Sequence, residues 1–214
     1  MELYSRNISP FAARVRVSIL AKNLTVRIID NPDVASAAFG KLNPYRRVPV
    51  LSLDDGSVIP ESETIVEYLE SAFPEIPLQP SAANARARVR LIARVAELYV
   101  FPAVVSIFEA LAARDEERVE TLFGNLDRAL AGAVPFLEDT TSWHAWGDRL
   151  TTADGALAPF LFYVQLVGQT CGRAPLVQHP RLQRFWEGAQ QQPVLATVTA
   201  QIAEAFAARR QASH

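Results

Sequence analysis

The chain has 214 residues, of which half are apolar and 21% are charged, and its formal net charge is −2. This composition is typical of a soluble globular protein with a sizeable core, and the length allows one large domain or two small ones. The nearly balanced charge gives no reason to expect nucleic acid or an anionic membrane as the main partner. The single cysteine, Cys171, excludes an internal disulfide framework and a cysteine-rich metal site, and fits a reducing compartment.

The sequence shows no signal for export, membrane insertion or metal binding. The N-terminus lacks an apolar signal core, and no uncharged apolar run of about 18 residues occurs. The three histidines, His144, His179 and His214, lack the spacing of metal ligands. We therefore predict a cytoplasmic protein without a metal and without a membrane or nucleic-acid partner.

The first third of the chain alternates between strand and helix patterns. Ser9 followed by Pro10 predicts the start of a helix, because serine caps free amide groups and proline suits the first helical position. Asp54-Asp55-Gly56 predicts a hairpin turn between two strands. The predicted order is β-α-β-α-β-β-α, with strands at 3–5, 25–30, 48–53 and 57–59 and helices at 10–20, 34–39 and 62–73. Parallel and antiparallel pairing would then share one mixed, four-stranded sheet.

A proline interrupts the third predicted strand. Because proline has no backbone N–H, we expect Pro49 at the first position of this strand, with a cis peptide bond after Val48. This arrangement would leave the backbone groups of Val48 available to a ligand. Glu61 and Ser62 then supply an acidic side chain and a hydroxyl at the start of the next helix. Together these residues predict a receptor for a small peptide.

From residue 84 onward only helical patterns occur, after a proline-rich connection at 73–81 that indicates a linker. The first helix should bend near Pro102, because an interior proline removes one backbone hydrogen bond. Thr151 and Asp154 have the spacing of a capping box and predict another helix start. Further helices are predicted at 115–137, around 180–191 and at 194–208. The sequence thus predicts an α/β domain at 1–75, a linker at 76–83 and an all-α domain at 84–214.

Four short motifs occur in a specific order along the chain. They are Ser9-Pro10-Phe11-Ala12-Ala13-Arg14-Val15-Arg16, Asn43-Pro44 with Val48-Pro49-Val50-Leu51, Glu61-Ser62 with Ile65-Tyr68-Leu69, and Thr151-Ala153-Asp154. In this order and spacing they resemble the cytosolic glutathione transferase (glutathione S-transferase) superfamily over nearly the whole chain, as a bacterial serine-type, zeta- or omega-like member. The resemblance implies a thioredoxin-like, glutathione-binding domain of βαβαββα order at 1–75. It also implies an all-α helical-bundle domain at 84–214 that contributes the acceptor-substrate pocket.

The resemblance makes glutathione the expected peptide and gives four residues a place around it. Val48, before the cis-proline Pro49, would pair its backbone with the cysteinyl part, as in strand addition. Glu61 would face the ammonium group of the γ-glutamyl end. The hydroxyl and N–H of Ser62 would take its carboxylate at a helix start.

Three cations near the same segment are candidates for the glycine carboxylate of glutathione. They are Lys41, Arg46 and Arg47, chosen on charge and position only. Relatives often have arginine directly after the glutamate-serine pair, whereas this chain has Glu63. That departure removes one plausible contact with an anion.

Ser9 aligns with the catalytic serine of the serine-type classes. A free thiol with a pKa near ~8.5 is only a few per cent ionised at pH 7, and the thiolate is the nucleophile. The resemblance implies that the Ser9 hydroxyl donates a hydrogen bond to the sulfur, at the positive end of a helix, and so stabilises the thiolate. Tyr4 lies inside the first strand, which argues against this role for it, and Ser5 is a lesser alternative.

The acceptor pocket and the oligomeric state depend on the helical domain. Candidates to line the pocket are Phe11, Tyr99, Phe101 and Phe108, with Trp143 or Trp146 as further ones, although aromatic residues at helical spacing more often belong to a core. One helix face carries Arg86, Arg90, Arg94 and Glu97. This face is either a solvated stripe or a contact in a homodimer, which is the usual assembly of the family.

The leading hypothesis is a detoxifying transferase that conjugates glutathione, as co-substrate, to a small hydrophobic electrophile. The second is a non-catalytic glutathione-binding or protein-interaction module, similar to the stringent starvation proteins that associate with RNA polymerase. A maleylacetoacetate isomerase-like, glutathione-dependent isomerase is the third, although that class has Ser-Ser-Cys where this chain has Ser9-Pro10-Phe11. Reductive deglutathionylation is the fourth, and it would normally require a cysteine at position 9.

Overall fold

The computed structural model describes residues 1–139 and 141–212, and it divides into two compact units. The first unit consists of residues 1–79 together with the C-terminal helix, and the second consists of residues 80–192. The C-terminal helix therefore groups with the first unit, whereas the predicted ranges assigned it to the helical domain at 84–214. The reason is packing, because this helix lies against the first helix of the chain.

A mixed, four-stranded sheet forms the first unit's centre, which confirms the predicted fold. Its strands are β1 (Glu2–Ser5), β2 (Arg27–Asp30), β3 (Val50–Ser52) and β4 (Val58–Pro60), in the spatial order β2-β1-β3-β4. β1 pairs with β2 in parallel and with β3 antiparallel, and β3 pairs antiparallel with β4. In this register Leu3 faces Ile28 on one side and Leu51 on the other.

Four helices accompany the sheet in the first unit. They are α1 (Pro10–Ala21), α2 (Ala37–Leu42), α3 (Ser62–Ala72) and the C-terminal α9 (Pro193–Gln211). α1 packs against α3, and one core cluster joins the sheet to both: Leu3, Val15, Ile19, Leu51, Ile65, Val66 and Leu69. α2 begins three residues later than predicted, because Ser36 caps it by accepting a hydrogen bond from the amide of Phe39 at 3.1 Å.

The second unit is helical, as predicted. Its helices are α4 (Ala83–Val95), α5 (Phe101–Ala112), α6 (Glu116–Ala133), α7 (Thr152–Thr170) and α8 (Pro180–Gln191). A five-residue π-helical segment, Ala96–Val100, joins α4 to α5 without a break. It ends where Phe101 donates to the carbonyl of Ala96, one residue before Pro102, so the irregularity lies where the proline was expected to disturb the helix.

The continuous helix Ala83–Ala112 is long and apolar enough to cross a membrane by length and composition alone. Only 39% of its most apolar window is buried inside the structure. Core helices of soluble proteins meet the same criterion, so this single helix is weak evidence for a membrane span.

The proline-rich connection after α3 is fastened to the first unit by a buried lysine. Lys22 donates to the carbonyls of Phe73 and Ile76, at 2.9 and 2.8 Å, and forms an ion pair with Glu70 at 2.7 Å. Glu70 in turn accepts a hydrogen bond from the amide of Leu78 at 3.1 Å. The connection therefore begins with a fixed path along the end of α3.

The predicted capping box at the start of α7 is present. Asp154 is fully buried and accepts hydrogen bonds from the amide and hydroxyl of Thr151, at 2.6 and 2.7 Å, and from the amide of Ala145 at 2.7 Å. Burial raises the pKa of Asp154, and these hydrogen bonds act in the opposite direction. One carboxylate thus ties the start of α7 to the segment before it.

We predict that Asp154→Ala destabilises the helical unit by about 2–4 kcal/mol, because buried N–H groups lose their acceptor and the helix loses its cap. Thermal unfolding followed by circular dichroism measures the effect. Asp148→Ala is the matched control, since Asp148 is exposed in the same segment. Equal melting temperatures for the two variants would contradict the prediction.

Candidate functional site

Ser9 caps α1 and lies half-buried at its positive end. Its backbone is extended, with φ −83° and ψ 119°, and its hydroxyl oxygen accepts a hydrogen bond from the amide of Ala12 at 3.2 Å. A hydroxyl that accepts one bond keeps its own hydrogen for another acceptor. Capping therefore leaves Ser9 chemically able to donate to a sulfur atom.

Arg16 fixes the loop that leads to Ser9. Its guanidinium is almost fully buried and donates to the hydroxyl of Ser5 at 3.0 Å, and to the carbonyls of Arg6 and Asn7 at 3.3 and 3.2 Å. Ser5, the alternative catalytic serine, is thus fully buried and engaged with Arg16. The loop between β1 and α1 is thus held in place by Arg16, a side chain of α1 itself.

The peptide bond between Val48 and Pro49 is cis, as expected from the sequence. Strand β3 begins at Val50 and not at 48, so both residues precede the ladder, because a proline cannot donate to it. The buried side chain of Asn43 shapes the turn before them: its amide donates to the carbonyl of Arg47 at 2.9 Å, and its oxygen accepts from the amide of Tyr45 at 3.0 Å. The backbone of Val48 is therefore presented from a hydrogen-bonded turn.

Glu61 and Ser62 form the entrance to α3. Glu61 has φ 71° and ψ 117°, a conformation that L-residues rarely adopt and that tends to persist at functional positions. Ser62 is the first helical residue and is 5% exposed. Among the described residues, no side chain hydrogen bond caps this helix start. Free amide groups at the positive end of a helix are suited to an anion such as a carboxylate.

Glu63, also in the first turn of α3, is paired with a buried arginine of α1. Arg14 Nη1 lies 2.7 Å from Glu63 Oε2, and the side chains are 2% and 30% exposed respectively. The guanidinium carbon of Arg14 also lies 5.9 Å from the ring centre of Phe11. Position 63 of this chain holds an acid and not a cation, but the guanidinium of Arg14 reaches the same helix start from α1.

The three candidate cations for the glycine carboxylate differ in their surroundings. Arg46 Nη1 donates to the carbonyls of Val34, Ala35 and Ser36, at 3.0, 2.6 and 2.8 Å, so this group supports the loop before α2. Lys41 and Arg47 are exposed. The contacts of Arg46 make Lys41 and Arg47 the better candidates for a ligand carboxylate.

Two of the aromatic candidates for the acceptor pocket, Phe101 and Phe108, share a neighbouring ring inside the second unit. Phe101 packs against Phe160 and Tyr163, with ring centres 4.9 and 5.9 Å apart, and Phe108 packs against Tyr163 at 6.3 Å. These contacts give Phe101 and Phe108 a packing role inside the second unit. Tyr99 is 63% exposed in the π-helical segment, and Phe11 belongs to the first unit.

Family models match both units of the chain. The model described as glutathione S-transferase, N-terminal domain, matches residues 3–77, and the one described as glutathione S-transferase, C-terminal domain, matches residues 95–193. The chain therefore belongs to the glutathione S-transferase family. Membership supports a glutathione-dependent activity.

Individual relatives carry different names. Maleylacetoacetate isomerase of Pseudomonas aeruginosa is 31% identical over 203 residues, which cover 90% of this chain and 92% of that protein. A stringent starvation protein A homolog of Coxiella burnetii is 31% identical, covering 78% of each chain. A glutathione S-transferase of Methylobacillus flagellatus, solved with glutathione bound, superposes with a TM-score of 0.77 at 25% identity, over 92% of this chain and 98% of that one.

Sequence reasoning found the helix starts and the cis-proline but gave no role to the two buried arginines. Arg14 and Arg16 stand in the helix Pro10–Ala21, whose other residues are almost all apolar or small. Two cations in such a helix must find partners when it is buried. That pattern could have indicated their importance, although not their partners, which lie in other elements.

The hydrogen bonds of Arg16 lead to a prediction about stability. We expect Arg16→Met to lower the free energy of unfolding by about 2–4 kcal/mol, because one acceptor at the end of β1 and two in the loop before Ser9 lose a charged donor. The melting temperature should fall by roughly 5–10 °C.

Arg27→Met is the control for this variant. Arg27 pairs with Glu2 on the exposed surface of the same unit, and such pairs contribute little to stability. A melting temperature of Arg16→Met within the error of the control would refute the anchoring role of Arg16.

Proposed function

We propose that the protein is a glutathione transferase in which the Ser9 hydroxyl stabilises the glutathione thiolate. The observation that carries the proposal is the geometry of Ser9, which caps α1 with its oxygen and keeps a hydrogen to donate. The helix end adds a favourable potential for a negative sulfur. Lowering a thiol pKa by ~2 units requires about 2.7 kcal/mol, which one charged hydrogen bond and a helix terminus can supply.

The rest of glutathione would bind along the same unit. The backbone of Val48, before the cis-proline, would pair with the cysteinyl residue. Glu61 would face the ammonium group, and Ser62 with the free amides of α3 would take the γ-glutamyl carboxylate. Arg47 and Lys41 are the proposed partners of the glycine carboxylate, since Arg46 already serves the neighbouring loop.

In the proposed reaction the thiolate attacks an electrophilic carbon of a small acceptor. A carbon–sulfur bond forms, the leaving group departs with the electron pair of its bond, and glutathione is consumed as a thioether. Ser9 retains its proton throughout, because its task is to donate a hydrogen bond and not to transfer a proton.

A glutathione-dependent isomerisation is the second candidate, favoured by the 31% identity with a maleylacetoacetate isomerase over most of both chains. The same thiolate would serve it, but glutathione would be regenerated in each cycle. The loss of free thiol therefore separates the two: a transferase consumes one thiol per product, and an isomerase consumes none. A non-catalytic module, favoured by the stringent starvation relative, would show turnover with neither substrate class.

We also propose a homodimer in the cytoplasm. An apolar stripe of Leu91, Leu98 and Val105 recurs every seven residues along the helix Ala83–Ala112, and all three are exposed. Seven-residue spacing keeps residues near one face of a regular α-helix, but the π-helical segment Ala96–Val100 lies within this run and shifts that phase, so the proposal rests on the exposure of the three side chains. Exposed apolar stripes of this kind mark association surfaces, and a second copy is the commonest partner.

We predict that Ser9→Ala lowers kcat/KM for conjugation of 1-chloro-2,4-dinitrobenzene about 10- to 100-fold, because a hydrogen bond to a charged group is lost. Retention on immobilised glutathione should persist, since the peptide contacts remain. Ser71→Ala is the control, being an exposed serine of α3 in the same unit. Unchanged turnover in Ser9→Ala would remove Ser9 from the proposed mechanism.

For the dimer, we expect Leu98→Glu to halve the mass measured by light scattering, because a charge would replace an apolar contact. Val177→Glu provides the comparison, since Val177 is an exposed apolar residue of the same unit outside the stripe. A wild-type protein of monomeric mass would contradict the dimer directly.

A further inference from the structure

We propose that Arg14 is a positioning residue whose charge masks Glu63, so that the start of α3 can accept the γ-glutamyl carboxylate of glutathione. The inference rests on the proposed function, because it assumes that this carboxylate binds at Ser62. It gives a role to the ion pair of Arg14 and Glu63, neither of which has a proposed contact with glutathione.

Glu63 creates an electrostatic conflict at the helix start. An acidic residue in the first turn is favourable for the helix itself, since it faces the positive end of the helix dipole. The same residue is next in sequence to Ser62, where the ligand carboxylate would bind. Two carboxylates that lie close together repel each other. Glu61 adds a second carboxylate at this entrance. The entrance would be strongly negative without a compensating cation.

Arg14 supplies that cation from the neighbouring helix. Its Nη1 lies 2.7 Å from Glu63 Oε2, and 2% of its side chain is exposed, so the positive charge is fixed below the surface. Salt and water screen buried charges less than exposed ones. The side chain of Glu63 is 30% exposed, so its charge is less shielded by protein than that of Arg14. The pair as a whole is neutral, so Ser62 and the free amides can act on an incoming anion.

Three other cations of the unit have partners elsewhere. Lys22 is committed to Glu70 and to two carbonyls at the far end of α3. Arg16 holds the loop before Ser9, and Arg46 holds the loop before α2. Arg14, by contrast, pairs with a carboxylate in the first turn of α3.

A masking role for Arg14 and a purely structural link between α1 and α3 predict different glutathione affinities for the variant Glu63→Gln. If the pair only fastened α1 to α3, either single substitution would weaken glutathione binding. If Arg14 masks the charge of Glu63, Arg14→Met should weaken binding about 10-fold or more, whereas Glu63→Gln should leave it unchanged or strengthen it. The double variant Arg14→Met/Glu63→Gln should regain most of the lost affinity, because the repelling carboxylate is gone.

Calorimetric titration of each purified variant with reduced glutathione, at low and moderate salt, tests this inference. Arg14→Lys, which keeps the charge, should retain near wild-type affinity, and Glu75→Gln is the control for loss of an exposed carboxylate in the same unit. KM for glutathione should follow the dissociation constant, while kcat changes less than about threefold.

The outcomes separate this inference from the proposed function. If the wild-type protein does not bind glutathione, the proposed function fails and the inference fails with it. If the wild type binds but Glu63→Gln binds several-fold more weakly, only the masking role is overturned. Should Arg14→Met not fold, Glu63→Gln still tests the inference at a partly exposed position: tighter binding supports masking, and several-fold weaker binding overturns it.

Discussion

The packing of α1 against α3 over the sheet is the constraint on which the candidate site depends. Leu3 of the sheet, Val15 of α1 and Ile65 of α3 share one buried cluster, so the two helices cannot move independently. An ion pair of 2.7 Å between Arg14 of α1 and Glu63 in the first turn of α3 also joins the two helices. Two positive helix ends are thereby available in one unit, one capped by Ser9 and the other without a side-chain cap among the described residues. An anionic sulfur and a carboxylate are the groups that such an arrangement is suited to bind.

Local signals in the sequence predicted much of this architecture, because they act within a few residues. Ser9 with Pro10, the Thr151–Asp154 box and the proline after Val48 each have a mechanism that needs no tertiary information. The buried partners of α1 were not predictable in this way. Arg14 meets a residue 49 positions away, and the position of Glu63 suggested only a lost contact. The grouping of the C-terminal helix with the first unit depends in the same way on a long-range contact, its packing against α1.

Relatives with one fold but different names show why the reaction is harder to derive than the ligand. Binding of a peptide backbone beside a cis-proline and at a helix start uses main-chain groups, which depend little on side-chain identity. The proposed reaction depends in addition on the acceptor. In this chain Phe101 and Phe108, two candidates for lining an acceptor pocket, pack against Tyr163 within the helical unit. His214, one of the three histidines that lack the spacing of metal ligands, lies outside the described residues. Within the described residues, no group of three or more His, Cys, Asp and Glu side chains could hold a metal ion.

The ionisation of bound glutathione is the direct test of a role for Ser9 at the sulfur. The ultraviolet absorbance of the thiolate can be followed against pH for the complex with the wild-type protein and for the complex with Ser9→Ala. We expect the thiol bound to the wild type to ionise about two pH units below a free thiol, and Ser9→Ala to move this value back toward ~8.5. The same titration curve for both complexes would show that the hydroxyl of Ser9 does not stabilise the thiolate.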